Sequence, residues 1–268
     1  MDVVQNNGLK MPMLGLGVYD MYGKDAERAI ISALETGYRL IDTASMYENE
    51  TEVGEAWLKS GINREDLFIT TKVNNEDQGF DSTLNAFEVS LAKLKTDYVD
   101  LYLIHWPIKK SRKDTWKALE LIYLEGRAKA IGVANYLIPF LNELYEYAEI
   151  VPAVNQVEFS PYLYQSDLLT HCNNIGIRLQ AYTPLLRGLK LNDPKLIAIA
   201  HKYNKSTAQI KLRWCVQHGV CPIPKSVNPI RLKENFEIFD FQISSMDMEI
   251  LDSFDEGLRI VDDPITLL

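Results

Sequence analysis

Four polar residues with complementary chemistry lie at or near the ends of short apolar runs in the first half of the chain. Asp42 follows one such run, Tyr47 comes shortly after it, and Lys72 and His105 end the next two runs. In a chain that alternates strands and helices, the carboxyl ends of parallel strands share one rim, and active sites lie there. The spacing therefore predicts that these four side chains meet at one rim.

Together these residue types can protonate an oxygen on which negative charge develops. Tyrosine has a pKa of about 10, and a nearby Lys72 ammonium is expected to lower the pKa of Tyr47 by favouring the phenolate. Asp42 would keep Lys72 charged and oriented, and His105 would hydrogen-bond a substrate oxygen. Such a group suits carbonyl reduction if another molecule delivers hydride.

Each of the four residues also has a purely structural interpretation. A strand-end aspartate often caps a turn, a tyrosine ring often packs, a single lysine usually extends to solvent, and a single histidine often lies satisfied in the core. Taken singly, the structural interpretations are favoured. Four such residues on one rim are explained more simply as a site.

A second cluster of interest spans residues 225–231, where an apolar run gives way to a helical pattern. Asn228 is predicted to cap the helix and Pro229 to occupy its first turn. A helix N-terminus flanked by the cations Lys225 and Arg231 is suited to binding phosphate. An ordinary capped helix with solvated cations explains this stretch about equally well.

Three more polar residues end predicted strands in the second half of the chain. Asn135 and Gln156 carry amide groups that suit a carboxamide partner, and Tyr182 has a ring that can stack on a flat one. The two amides could equally form turns or satisfy core groups.

The chain alternates strand and helix patterns in the way that would position such residues. Asn6-Asn7-Gly8 between short apolar runs predicts an N-terminal β-hairpin. Eight strand-then-helix units follow, with strands at residues 14–19, 40–41, 67–72, 99–104, 130–135, 154–157, 178–182 and 221–225. Bounded helical patterns fall at 24–36, 51–59, 113–124, 139–147, 167–173, 194–203, 207–217, 229–236 and 246–254, and a short C-terminal tail comes last.

This order predicts an α/β fold, a closed (β/α)8 TIM barrel formed by one domain over residues 1–268. The competing architecture is an open doubly wound sheet, which would carry a Gly-x-Gly-x-x-Gly turn. Gly15-Leu16-Gly17 is the one candidate for that turn, and it lacks the third glycine.

Composition narrows the function classes further. The net charge of −9 argues against a nucleic-acid-binding protein, which would show a basic face. The three cysteines are odd in number and irregularly spaced, as in a reducing compartment. The N-terminus is too polar for a signal peptide and no stretch is long enough to span a membrane, so we expect a soluble cytoplasmic protein. No metal site is predicted, because His171, His201 and His218 lie far apart.

Short motifs over essentially the whole chain resemble those of the aldo-keto reductases. Their number, order and spacing make the resemblance specific. The matching segments are Gly15-Leu16-Gly17, Leu40-Ile41-Asp42-Thr43-Ala44 with Tyr47, Thr71-Lys72, Leu103-Ile104-His105-Trp106-Pro107, Gly132-Val133-Ala134-Asn135, Asn155-Gln156, Ala181-Tyr182-Thr183-Pro184-Leu185 and Ile223-Pro224-Lys225-Ser226.

The resemblance implies a (β/α)8 barrel that uses NADPH to reduce aldehydes and ketones to alcohols. It implies that Tyr47 is the proton donor, that Lys72 and Asp42 tune it, and that His105 orients the carbonyl. We expect a monomer that acts on a small-molecule carbonyl substrate and binds neither nucleic acid nor membrane. The substrate pocket would include Tyr19, Tyr47, His105 and Trp106.

The resemblance also implies a binding site for NADPH/NADP+. Asn135 and Gln156 would bind the nicotinamide carboxamide, and Tyr182 would stack on that ring. A cation cluster favours NADPH over NADH, because a bare ribose hydroxyl needs no such charge. The other residues expected at the cofactor are Leu185 along the pyrophosphate, Lys225, Ser226, Asn228 and Arg231 at the 2′-phosphate, Glu234 and Asn235 near the adenine, and Val18, Asp42, Thr183 and Val227.

Three positions depart from the family pattern. Ala134 stands where many relatives have serine, Asn74 follows the lysine where tryptophan is common, and Tyr19 also replaces a common tryptophan. The loop at 108–113 and the C-terminal tail are short, as in compact, prokaryote-like members. The substrate pocket is therefore expected to be more open or polar beside Asn74, and the identity of the substrate stays open.

Two other functions remain as alternatives. Lys72 could act as the nucleophile of a Schiff-base lyase or aldolase, which would leave the phosphate cluster and the strand-end amides unexplained. The chain could also be a non-catalytic nucleotide-sensing subunit, since folds are reused without their chemistry. The intact set of four rim residues argues against that second alternative.

Overall fold

The N-terminal segment forms the predicted hairpin at the base of the molecule. The computed structural model describes residues 1–267. Strands β1 (Asp2–Val4) and β2 (Lys10–Pro12) pair antiparallel, and Gly8 turns the chain with a φ of 85°. Asn6 and Asn7 donate side-chain hydrogen bonds to Pro152 O and Lys129 O, which both precede barrel strands. The hairpin therefore covers the amino-terminal end of the barrel.

Eight parallel strands follow in sequential order and form the predicted (β/α)8 barrel. Their register places each strand beside the next along the chain, so all their carboxyl ends reach the same rim. The strands are β3 (Leu16–Gly17), β4 (Leu40–Asp42), β5 (Phe68–Val73), β6 (Leu101–Ile104), β7 (Ile131–Ala134), β8 (Val154–Glu158), β9 (Arg178–Tyr182) and β10 (Cys221–Pro222).

The barrel closes between its first and last strands through two backbone hydrogen bonds. Gly15 N donates to Pro222 O over 3.1 Å, and Gly17 N donates to Pro224 O over 3.2 Å. Pro224 has no N–H that could donate in return. A Cβ on Gly17 would lie 2.7 Å from Ile223 O, so only glycine allows this approach. The two glycines thus serve barrel closure.

The helices pack around the outside of the barrel with one apolar side turned inward. In α1, for example, the buried positions are Ala26, Ala29, Ile30, Ala33 and Leu34, which recur at helical spacing. The helix bounds that were predicted are confirmed to within two residues at either end. The helices are α1 (Gly23–Thr36), α2 (Glu50–Ser60), α3 (Phe80–Leu94), α4 (Arg112–Leu124), α5 (Ile138–Tyr145), α6 (Ser166–Asn174), α7 (Pro194–Tyr203), α8 (Thr207–Gln217), α9 (Pro229–Phe236) and α10 (Ser245–Asp252).

After α10 the chain continues as a short irregular tail that ends in a 3-10 turn, Pro264–Leu267. The tail has half-buried apolar side chains, Leu258 and Ile260 among them, that pack on the hydrophobic core. Within residues 1–267, no helix is long and apolar enough to cross a membrane.

Candidate active site

The four residues singled out from the sequence meet at the carboxyl-terminal rim of the barrel. Asp42 is the last residue of β4, Lys72 lies near the end of β5, and His105 directly follows β6. Tyr47 lies in a 3-10 turn, Ser45–Tyr47, in the loop after β4. The predicted convergence is confirmed, because consecutive parallel strands bring their ends together.

Lys72 is the centre of the group. Its side chain is fully buried, and its Nζ lies 2.6 Å from Asp42 Oδ1 and 2.9 Å from Thr43 O. A longer contact of 3.4 Å joins the same Nζ to the Tyr47 hydroxyl. One ammonium therefore links the carboxylate to the phenol.

Asp42 is held from its other side by an amide chain that crosses the barrel interior. Gln156 Nε2 donates to Asp42 Oδ2 over 2.6 Å and also to Gln180 Oε1 over 2.7 Å. Burial raises the pKa of Asp42 and lowers the pKa of Lys72, while the attraction between the two opposes both shifts. Gln156 thus supports the carboxylate that orients Lys72.

The expectation that Lys72 lowers the pKa of Tyr47 is wrong. Burial raises the pKa of Tyr47 well above its ordinary value, and the negative charge of Asp42 raises it further. Asp42 bonds directly to Lys72 and offsets the influence of the ammonium at the phenol. Tyr47 is therefore a neutral phenol that holds its proton, which suits a proton donor.

His105 lies beside Tyr47, with 5.5 Å between the ring centroids. Burial, followed by the positive charge of Lys72, lowers the pKa of His105 well below its ordinary value. Its Nδ1 is buried and has no hydrogen-bond partner in the described chain. A neutral imidazole at this place can hydrogen-bond the oxygen of a substrate.

Asn49 is a supporting residue that the sequence analysis did not single out. Its buried amide accepts from Thr43 Oγ1 at 2.7 Å and donates to Val18 O at 2.7 Å and to Met21 O at 3.0 Å. These bonds tie the loop after β3 to the loop that carries Tyr47. No sequence signal identifies such a role, because two of the three partners, Val18 O and Met21 O, are backbone groups of a distant loop.

The predicted cofactor residues from the middle strands lie on the same rim, with their polar groups already paired. Asn135, which follows β7 with a φ of 65°, donates from Nδ2 to His105 O over 2.9 Å. Its Oδ1 accepts from the Tyr182 hydroxyl over 2.7 Å. Tyr182 is half-buried at the end of β9. The pair therefore fixes the rim on the side opposite Asp42.

The predicted phosphate cluster lies where β10 leads into α9. Asn228 is confirmed as the N-cap, since its Oδ1 accepts from Ile230 N at 2.9 Å and from Arg231 N at 3.3 Å. Lys225 and Arg231 are exposed, and neither forms an ion pair within residues 1–267. Two solvent-facing cations beside a capped helix N-terminus fit a phosphate group.

The remaining predicted cofactor residues differ in exposure. Thr183 lies in a left-handed conformation, with a φ of 47°, and its Oγ1 is buried without a partner in the described chain. Asn235 is buried, so only a small part of it is available to an adenine. Val18 and Ser226 are buried, Leu185 and Glu234 are half-buried, and Val227 is exposed.

The mouth beside Tyr47 is partly aromatic and partly polar. Tyr19 is exposed and lies edge-on to Tyr47, with 5.1 Å between ring centroids. Arg187, which the sequence reasoning did not single out, lies over the Tyr19 ring at 5.6 Å. Trp106 is half-buried, and Asn74 accepts a hydrogen bond from Asn75 N over 2.7 Å. Within residues 1–267 there is no group of three or more metal-ligating side chains.

Comparisons with known proteins identify a family that this chain matches over most of its length. The model of the "Aldo/keto reductase family" matches residues 13–256. "Glyoxal reductase" from Bacillus subtilis (strain 168) is 50% identical over 264 residues, which cover 98% of this chain and 96% of the relative.

Two solved structures have the same fold. An aldo/keto reductase from Brucella melitensis superposes with a TM-score of 0.92 at 46% identity, covering 95% of this chain and 99% of the other. An aldo-keto reductase from Bombyx mori in complex with NADP gives a TM-score of 0.92 at 34% identity, covering 98% and 95%.

Proposed function

Because the chain belongs to the aldo/keto reductase family, we propose that it reduces small aldehydes and ketones to alcohols with NADPH. The observation that carries this proposal is the buried link from Asp42 through Lys72 to the neutral Tyr47 phenol, beside the neutral His105 ring. In this arrangement a proton donor, Tyr47, lies beside a group that can bind the substrate oxygen, His105.

Each residue of the proposed site has its own role in the reaction. His105 and the Tyr47 hydroxyl hydrogen-bond the carbonyl oxygen of the substrate. When bound, the reduced nicotinamide supplies the hydride that adds to the carbonyl carbon. Tyr47 gives its proton to the oxygen as negative charge develops there, and Lys72 stabilises the phenolate that remains. Asp42 and Gln156 keep Lys72 aimed throughout.

The cofactor site is proposed from the chemistry of the residues that face the rim. Tyr182 would support the nicotinamide ring, with Asn135 and Gln156 near its carboxamide. Lys225 and Arg231 would bind the 2′-phosphate at the start of α9, because both are exposed cations without an ion-pair partner in the described chain. The other cofactor residues named from the resemblance keep their proposed places.

The substrate class that we propose is a small aldehyde that can carry a second oxygen. A relative that is 50% identical is named glyoxal reductase. The polar Asn74 directly follows β5, the strand that carries Lys72. The Asn74 amide can hydrogen-bond the second carbonyl of a dicarbonyl compound. A large apolar ring would instead remove water from that amide without replacing its hydrogen bonds, which is unfavourable.

The test is a panel of aldehydes and ketones, including glyoxal, methylglyoxal and benzaldehyde, followed by NADPH absorbance with NADH in parallel. We expect turnover with NADPH and a preference for the dicarbonyl compounds. No oxidation of NADPH with any member of the panel would contradict the proposed function.

The Schiff-base alternative is disfavoured by the surroundings of Lys72. Its Nζ is buried and already bonded to Asp42 and Thr43 O, so the amine is not free to attack a carbonyl. Borohydride reduction in the presence of a substrate is expected to leave Lys72 unmodified. A covalent adduct on that residue would favour a lyase instead. A protein that binds NADPH but reduces no member of the panel would favour the nucleotide sensor.

A further inference from the structure

A buried carboxylate that the proposed reaction does not use lies at the end of β8. Glu158 is 1% exposed, and burial raises its pKa. A carboxylate in such a place costs stability unless it is paired or hydrogen-bonded. Its hydrogen-bonding partners therefore indicate what it does.

The partner of Glu158 is the C-terminal tail. Ile260 N donates to Glu158 Oε1 over 2.8 Å. A second connection runs through Gln165, whose Nε2 donates to Glu158 O over 2.6 Å and whose Oε1 accepts from Arg259 over 3.2 Å. The last residue of β8 thus holds two consecutive residues of the tail, one by its carboxylate and one through a bridging amide.

The rest of the tail is attached along the same rim. Glu256 N and Leu258 N both donate to Tyr162 O, at 3.3 Å and 2.9 Å, in the loop after β8. Near its end, Leu267 O accepts from Arg112, which also bonds Pro107 O in the loop that follows His105. Only β7 separates β8 from β6 in the sheet. The tail is therefore bonded to the loops after β8 and β6, on both sides of β7, the strand that Asn135 follows.

From these contacts we propose that Glu158 is a positioning residue, which pins the C-terminal tail as one wall of the substrate mouth. This inference rests on the proposed reductase function and names a residue that acts through the tail. Its carboxylate accepts a backbone amide, so the identity of the tail side chain at that point is free to vary while the path of the tail stays fixed. A wall of this kind is expected to contact the substrate equally before and during the reaction.

An interaction of that kind changes substrate affinity and leaves the chemical step alone. In Glu158→Ala, we expect the KM for benzaldehyde to rise about tenfold while kcat and the Kd of NADPH stay within about twofold. Amide hydrogen exchange in the peptide that contains Ile260 should become at least about tenfold faster in the cofactor-free protein, because its acceptor is gone.

Two variants serve as controls. Glu158→Gln keeps an acceptor oxygen for Ile260 N and is expected to restore most of the KM and the exchange protection. Glu35→Ala removes one negative charge at an exposed residue of α1, outside the tail and the mouth, and is expected to behave as the unchanged protein.

Several results would overturn the proposal. In Glu158→Ala, these are an unchanged rate of amide exchange at Ile260, an unchanged KM for benzaldehyde, or a rise in the Kd of NADPH as large as the rise in that KM. If the unchanged protein turns over no carbonyl compound, the reductase function itself fails, and the exchange measurement then reports separately on whether Glu158 anchors the tail.

Discussion

At the scale of single residues, burial sets the protonation state of Tyr47. The Lys72 ammonium lies 3.4 Å from the hydroxyl, yet its nearest partner is Asp42 at 2.6 Å, so the two charges largely offset each other at the phenol. The same burial keeps His105 neutral. A donor and an orienting group that both stay uncharged can approach a carbonyl oxygen without a competing ion pair.

Removal of the proposed donor tests this account directly. In Tyr47→Phe we expect kcat for aldehyde reduction to fall by about 10²- to 10⁴-fold, the range that general acids supply, with little change in NADPH affinity. Steady-state kinetics would measure kcat, and a fluorescence titration would measure the affinity for NADPH. Tyr22→Phe, at an exposed tyrosine, is the matched control. Near-normal turnover in Tyr47→Phe would refute the assignment of the donor.

Arg231 tests the proposed phosphate site. Hydrogen bonds to charged groups contribute about 1.5–3 kcal/mol, so Arg231→Ala should weaken NADPH binding by roughly 10- to 100-fold. NADH lacks the 2′-phosphate and should be affected little. Lys233→Ala changes another exposed cation of α9 and should weaken neither. An equal loss for both dinucleotides would argue against the assignment.

At the scale of elements, α8 contains a residue that lowers the stability of the fold. Lys211 is fully buried, its Nζ has no hydrogen-bond partner in the described chain, and burial lowers its pKa to about 8. In the unfolded chain the pKa is near the ordinary value of 10.5. Folding therefore disfavours the charged lysine at neutral pH.

We expect Lys211→Met to stabilise the protein by about 3 kcal/mol at pH 7, since methionine fills the same space without a charge. Between pH 8 and 10.5 the unfolded state binds the extra proton, so the stability of the unchanged protein should rise there and the gap should narrow. Urea unfolding at pH 7 and pH 10 measures this. Lys195→Met, at an exposed lysine of α7, is the control, and a Lys211→Met variant that is less stable at pH 7 would contradict the account.

The elements themselves were predictable because their signals are local. The apolar spacing in α1 and the Asn228-Pro229 pair at the start of α9 each depend on a few neighbouring residues. The convergence of Asp42, Lys72 and His105 followed from strand order alone. The support given by Asn49 and the tail anchor at Glu158 could not be read from the sequence, because each depends on backbone groups that are distant along the chain.

At the scale of the whole molecule, barrel closure joins the two ends of the sheet. Gly15 and Gly17 near the N-terminus bond to Pro222 and Pro224 near the end of the barrel. Neither end can unfold without opening this contact, so we propose that residues 1–268 behave as one domain. Unfolding in urea should give one transition, with the same midpoint by tryptophan fluorescence and far-UV circular dichroism.

The same sample can test the expected monomer. Light scattering on a size-exclusion column should give a mass near 30.6 kDa. A mass of twice that value, or two separated unfolding transitions, would contradict the corresponding part of the prediction.

The hairpin and the tail lie at opposite ends of the barrel, and this has a practical consequence for attachment of the protein to a support. The hairpin is bonded to loops at the amino-terminal end through Asn6 and Asn7, whereas the tail is bonded to Tyr162 and Arg112 at the carboxyl-terminal end. A linker joined ahead of the hairpin leaves the mouth open to the surrounding solution. A linker joined through the tail pulls on the wall that Glu158 holds in place.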